Sequence, residues 1–73
     1  MSVPMAVLIS LVKLGRDFEK AYHGGEPLKA GSIEKKIDAL CEQYPEEWLT
    51  PIVCRGQNIY RKAHGMEEVY PMD

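Results

Sequence analysis

Apolar residues return at a helical period in three separate stretches of this chain, and proline and glycine stand between the stretches. Ile33, Ile37, Leu40 and Cys41, with Tyr44 just beyond, follow the i, i+4, i+7, i+8, i+11 spacing of one buried helical stripe, while Glu34, Lys35, Asp38 and Glu42 take the wet side. Ser32 is the expected N-cap of that helix, Pro45 closes it, and Glu26 to Gly31 is the expected linking loop. Met5 to Tyr22 fits a first helix: Val7, Leu8, Leu11, Leu14, Phe18 and Tyr22 share one arc, and Lys13, Arg16, Asp17 and Lys20 lie opposite. The His23-Gly24-Gly25 run ends it. Gly15 inside it costs about 1 kcal/mol relative to alanine, and a strand over Ala6 to Leu14 followed by a short helix is the other reading.

Thr50 to Gly65 predicts a third helix, with Thr50 as N-cap, Pro51 at the first helical position and Gly65 just past the end. Its projection places Ile52, Val53, Ile59, Tyr60 and Ala63 on one side and Arg55, Gln57, Asn58, Arg61, Lys62 and His64 on the other. Between them, Pro45 to Leu49 predicts one extra helical turn, with Trp48 and Leu49 plugging the corner. The expected architecture is an all-α, small three-helix domain spanning residues 1–73, with that extra turn and a C-terminal tail over 66–73 unless Val69 and Tyr70 pack back. The expected core joins Val7, Leu8, Leu11, Leu14, Phe18, Ile33, Ile37, Leu40, Trp48, Leu49, Ile52, Ile59 and Tyr60.

Composition narrows the function classes. With 73 residues the chain is one small domain, too short to enclose a substrate pocket beside a packed core, so no enzyme is expected. The 9 basic against 11 acidic side chains argue against binding nucleic acid through bulk charge. The run PMAVLISLV is too short to span a bilayer and has no basic residue before it, so a soluble, intracellular protein without membrane contact is expected. Cys41 and Cys54 make neither a disulfide framework nor a zinc site, so no cofactor or metal is expected.

Side chains with chemistry to offer are few. His23 and His64 sit where cationic or C-capping roles are common, and neither belongs to a nucleophile–base pair. Glu46 and Glu47 are adjacent and point apart on a helix. Cys54 projects among Arg55, Asn58 and Arg61, where cations favour a thiolate, although cover by a neighbouring loop is the simpler explanation of the position.

Two surfaces remain. The face of the third helix carries no acid between Glu47 and Glu67, so Arg55, Gln57, Asn58, Arg61 and Lys62 form a cationic and amide ridge suited to a macromolecular partner. A helix-turn-helix reading would have Gln57, Asn58 or Arg61 contact base edges, although the corner from Tyr44 to Thr50 is long for such a turn. On the first helix, Met5, Ile9 and Val12 lie at the edge of the apolar arc, Met1 and Val3 extend it outward, and together they mark a protein-binding patch, unless the tail folds over it through Val69 and Tyr70.

From MSVPMAVLISL to VYPMD, and through SIEKKIDALCEQYPEEW with the basic helix after it, the chain resembles the small RNA-polymerase-binding inhibitor and antiterminator proteins of lytic Xanthomonas phages. The resemblance rests on size and whole-chain character. It implies docking on the N-terminal region of the largest subunit of host RNA polymerase, near the RNA exit channel with RNA or DNA close by. Promoter-dependent initiation would be inhibited and terminators passed, in the host cytoplasm, with no small-molecule substrate.

Overall fold

The computed structural model describes residues 2–70 and is all-α, with helices α1 (Met5–His23), α2 (Pro27–Cys41) and α3 (Glu46–Ala63). Among the described residues there is no strand, so the Ala6 to Leu14 stretch is helical. Leu11 shows why: it is fully buried, and its helical neighbours Gly15 and Glu19 bury along the same stripe.

Helix boundaries follow backbone chemistry at the termini. α1 starts against the Pro4 carbonyl, which accepts the Val7 and Leu8 amides at 3.0 and 3.2 Å. It stops where Gly25 takes φ +74°, letting the Glu26 amide donate back to the Ala21 carbonyl at 3.0 Å. α3 stops the same way: Gly65 takes φ +67°, and the Met66 amide donates to the Arg61 carbonyl at 2.8 Å. Both glycines stand where a side chain would be strained.

The structure moves two expected boundaries. α2 begins at Pro27, not at Ser32: proline's fixed φ and missing N–H suit a first helical position, and the Ala30 amide donates to the Glu26 carbonyl at 2.9 Å. The stretch expected to be a loop is therefore a helical turn, with Ser32 inside it. α3 likewise begins at Glu46, so the expected extra turn is its first turn and Pro51 lies inside it. Thr50, expected as a cap, instead donates its hydroxyl to the Glu46 carbonyl at 3.0 Å. Pro51 deprives the Glu47 carbonyl of its helical donor, and both residues are exposed, where water can supply one.

α1 is the central helix and packs on both others, while α2 and α3 hardly touch each other. Against α2 the cluster is Ala21, Ala30 and Ile33, flanked by Leu14, Phe18 and Ile37. Against α3 the backbones come close at two glycines: Gly15 faces Val53 and Gln57, and Gly56 faces Val12 and Arg16. Beyond this crossing, toward the C-terminal ends of both helices, Glu19 meets Arg61 and His23 meets Tyr60, so α1 and α3 run in the same direction. Leu11 and Leu49 are fully buried. Two residues expected in the core lie largely outside it, Trp48 at 44% and Ile59 at 48% exposure, because Gly56 and not Ile59 marks the face of α3 that meets α1.

Candidate functional site

Parallel α1 and α3 bring two helix C-termini, each with a partial negative charge, to one end of the molecule. Lys20 and His23 occupy the last turn of α1, and Arg61 and Lys62 that of α3, which offsets that charge. Between the helices sits Glu19, only 2% exposed. Its Oε1 accepts from Arg61 Nε at 2.6 Å, and its Oε2 lies 3.0 Å from His23 Nε2. A buried carboxylate requires such partners, because an unpaired charge away from water is costly. Tyr60 then stacks between two imidazoles, 5.8 Å from His23 and 3.9 Å from His64 between centroids, and His64 Nδ1 caps the Tyr60 carbonyl at 2.9 Å.

Arg61 does two tasks. While Nε holds Glu19, Nη1 donates to the Glu67 carbonyl at 3.0 Å and draws residues 66–70 back along α3. The Asn58 amide pins the same segment twice, donating to the Val69 carbonyl at 2.7 Å and accepting from the Val69 amide at 2.8 Å. Lys62 pairs with Glu68 at 3.1 Å, and Glu68 also accepts from the Tyr70 hydroxyl at 2.8 Å. Val69 does pack back, against α3 and not over α1, whereas Tyr70 stays exposed. Residues 71–73 of the expected tail lie outside the described residues.

These contacts correct the expected ridge. Arg61 faces α1 and is consumed by Glu19 and Glu67; Asn58 is consumed by Val69; Lys62 is paired; Gln57 is half-buried, its backbone against Gly15. Only Arg55 remains exposed with no ion pair among the described residues. The physical reason is that Arg61 reaches across to the buried Glu19 of α1, Gln57 lies beside the Gly15 crossing, and the tail's backbone and acids occupy much of the rest. Gln57, Asn58 and Arg61 are thus not presented for base-edge contacts, and α2 and α3 lack the mutual packing of a helix-turn-helix pair. Cys54 lines the groove between α3 and the tail with Pro51, Arg55 and Val69, and burial pushes its thiol up, opposite to the shift that neighbouring cations would cause. Cys41 is raised as well, first by burial and then by Glu46 and Asp38.

Met5 and Ile9 keep their expected place, at 69% and 49% exposure on the outer edge of α1. Residues 66–70 lie along α3 and not over them, whereas Val12, expected on the same edge, faces Gly56 of α3. Met1 lies outside the described residues. The network around Glu19 was not anticipated, although the signal is in the sequence: Leu11, Gly15, Glu19 and His23 recur every four residues along one side of α1.

The tail clasp is expected to be acid-sensitive. Hydrogen bonds from Tyr70 and Lys62 hold the Glu68 carboxyl below its usual range, so its contribution is present above the ordinary carboxylate pKa and is lost as pH falls through the lowered value. The protection of the Val69 amide, its exchange rate measured by NMR relative to the intrinsic rate at each pH, should fall below that range in the natural chain and be absent at all pH values in Asn58→Ala. Equal, pH-independent protection in both would contradict the clasp.

The geometry defines a small three-helix domain with an internal ion network at one end and an uncovered apolar edge at the other. Comparison with known protein families, curated proteins and solved structures finds no match for this chain. Among the described residues no helix is long and apolar enough to cross a membrane, and no cluster of three metal-ligating side chains is present.

Proposed function

We propose that this chain is a small non-enzymatic regulator that works by docking on host RNA polymerase in the host cytoplasm, inhibiting promoter-dependent initiation and promoting antitermination. The observation that supports a docking protein is the pair Met5 and Ile9, one helical turn apart and exposed to water. Exposed side chains of that size in register on a helix are suited to fill a pocket on a partner. Arg55, on the outer face of α3, is the ridge cation still available to an acidic or nucleic-acid surface. The choice of polymerase, and of its largest subunit, comes from the whole-chain resemblance.

The test uses purified polymerase and the tagged full chain. The natural chain should retain polymerase, and Met5→Asp/Ile9→Asp should weaken retention by about tenfold or more with helicity unchanged by circular dichroism. No retention by the natural chain removes the reading. Retention of a bare DNA duplex with a steep salt slope, lost in Arg55→Ala, would favour a DNA-binding regulator instead.

A further inference from the structure

The side of α1 turned away from α3 forms an open valley with α2, and its floor is carbon: Leu14 from α1, Ala39 and Leu40 from α2. Lys13 and Lys36 stand on opposite walls. Toward the α1–α2 connection the valley continues past Lys20 and Lys29, with Asp17 and Glu26 beside them. Those two acids already have partners, Asp17 with Arg16 at 3.2 Å and Glu26 with Lys29 at 3.9 Å. Lys13, Lys20 and Lys36 make no ion pair among the described residues. In a chain whose net charge is −2, two unneutralised cations, Lys13 and Lys36, therefore rim the apolar trough, and a third, Lys20, stands on its more polar continuation.

We propose that this α1–α2 valley is a docking groove for an acidic amphipathic helix of a protein partner. A trough between two antiparallel helices matches the shape of a third helix, whose apolar side chains at i, i+3, i+4 and i+7 enter the floor. Carboxylates flanking that apolar stripe meet Lys13 and Lys36 across the groove and Lys20 further along it. Opposite charge on both walls sets orientation and partner choice, and the carbon floor supplies contact area. A nucleic acid would satisfy the lysines but leave Leu14, Ala39 and Leu40 facing a phosphate backbone. The groove lies on a different side of α1 from Gly15 and α3, and the inference does not rest on the polymerase reading.

The probe is a synthetic peptide of about four helical turns with leucine on one face and glutamate on its flanks, titrated into the full-length protein. Its counterpart carries lysine in place of glutamate, and a single-stranded DNA oligonucleotide is the third ligand. The acidic peptide should bind and shift the amide resonances of Ser10, Lys13, Leu14, Lys36, Ala39 and Leu40. Lys13→Glu/Lys36→Glu, both exposed positions, should weaken it about tenfold or more and turn preference toward the lysine peptide. Unchanged affinity in that variant, shifts centred on Tyr60 and His64, no binding up to about 1 mM, or the oligonucleotide taking the valley would each overturn the proposal. Met5→Asp/Ile9→Asp should bind the peptide like the natural chain, so loss of polymerase retention and loss of peptide binding are read separately.

Discussion

Gly56→Ala is expected to destabilise the domain by about 2 kcal/mol, lowering its melting temperature by roughly 8–16 °C, whereas Gly31→Ala raises it by several degrees. Both positions are inside helices, where alanine is favoured over glycine by about 1 kcal/mol. What separates them is the space a methyl group meets. At Gly31 nothing lies within 4 Å. At Gly56 the methyl would overlap the Val12 carbonyl and crowd the Arg16 amide nitrogen at 3.0 Å, and at Gly15 it would overlap the Val53 carbonyl. These obstacles are backbone atoms of a facing helix and cannot rotate aside, so α1 and α3 must separate and loosen the packing around Leu11 and Leu49. Gly15→Ala/Gly56→Ala should cost less than the sum of the single changes, because both open the same crossing. Thermal unfolding with the same sign for Gly31→Ala and Gly56→Ala would contradict this picture of the crossing.

Arg61→Ala is expected to cost about 3 kcal/mol, since it leaves the Glu19 carboxylate buried with His23 as its remaining partner. For a domain of this size that is a large fraction of total stability, and loss of the contact to Glu67 also frees the tail. Glu19→Leu/Arg61→Met should recover most of the loss, because the penalty comes from an orphaned charge more than from a forfeited attraction. Lys62→Ala is the comparison: its side chain is 70% exposed, so water and salt screen its ion pair with Glu68 and the change should cost little. Equal costs at Arg61 and Lys62 in denaturant titration would show that Glu19 is not charged and buried as described.

Much of the fold is legible in the periodicity, and the errors share one cause. Ile33 and Ile37 announce α2, and Leu11, Leu14 and Phe18 announce α1, because leucine, isoleucine and phenylalanine bury by hydrophobicity alone. Glycine carries no such signal. Gly15 reads as a weak point in α1, yet with Gly56 it is where the two backbones come into close approach, and without Gly56 as a landmark the buried face of α3 is rotated toward Ile59. That rotation put Arg61 and Gln57 outside and left Glu19 with no place in the expected core. Proline misleads in the other direction: Pro27 and Pro51 suggest a loop and a helix start, whereas one opens α2 and the other lies within the exposed side of α3.

The surface readings divide in the same way. Met5 and Ile9 stand out in sequence as apolar residues beyond what the core requires, and tertiary structure leaves them exposed. The valley under Lys13 and Lys36 has no counterpart in a linear pattern, since its walls belong to helices that meet only after the chain reverses at Gly24 and Gly25.

The sequence by itself determined that the chain would be helical and where its two glycine-stopped ends fall, because side-chain period and positive-φ preference are local properties. Tertiary structure alone decided which cations meet a partner and which are spent inside: the pairing of Glu19 with Arg61 spans two helices that share no local signal. Charge can be counted along a chain, but whether it is free depends on what folding brings within hydrogen-bond distance.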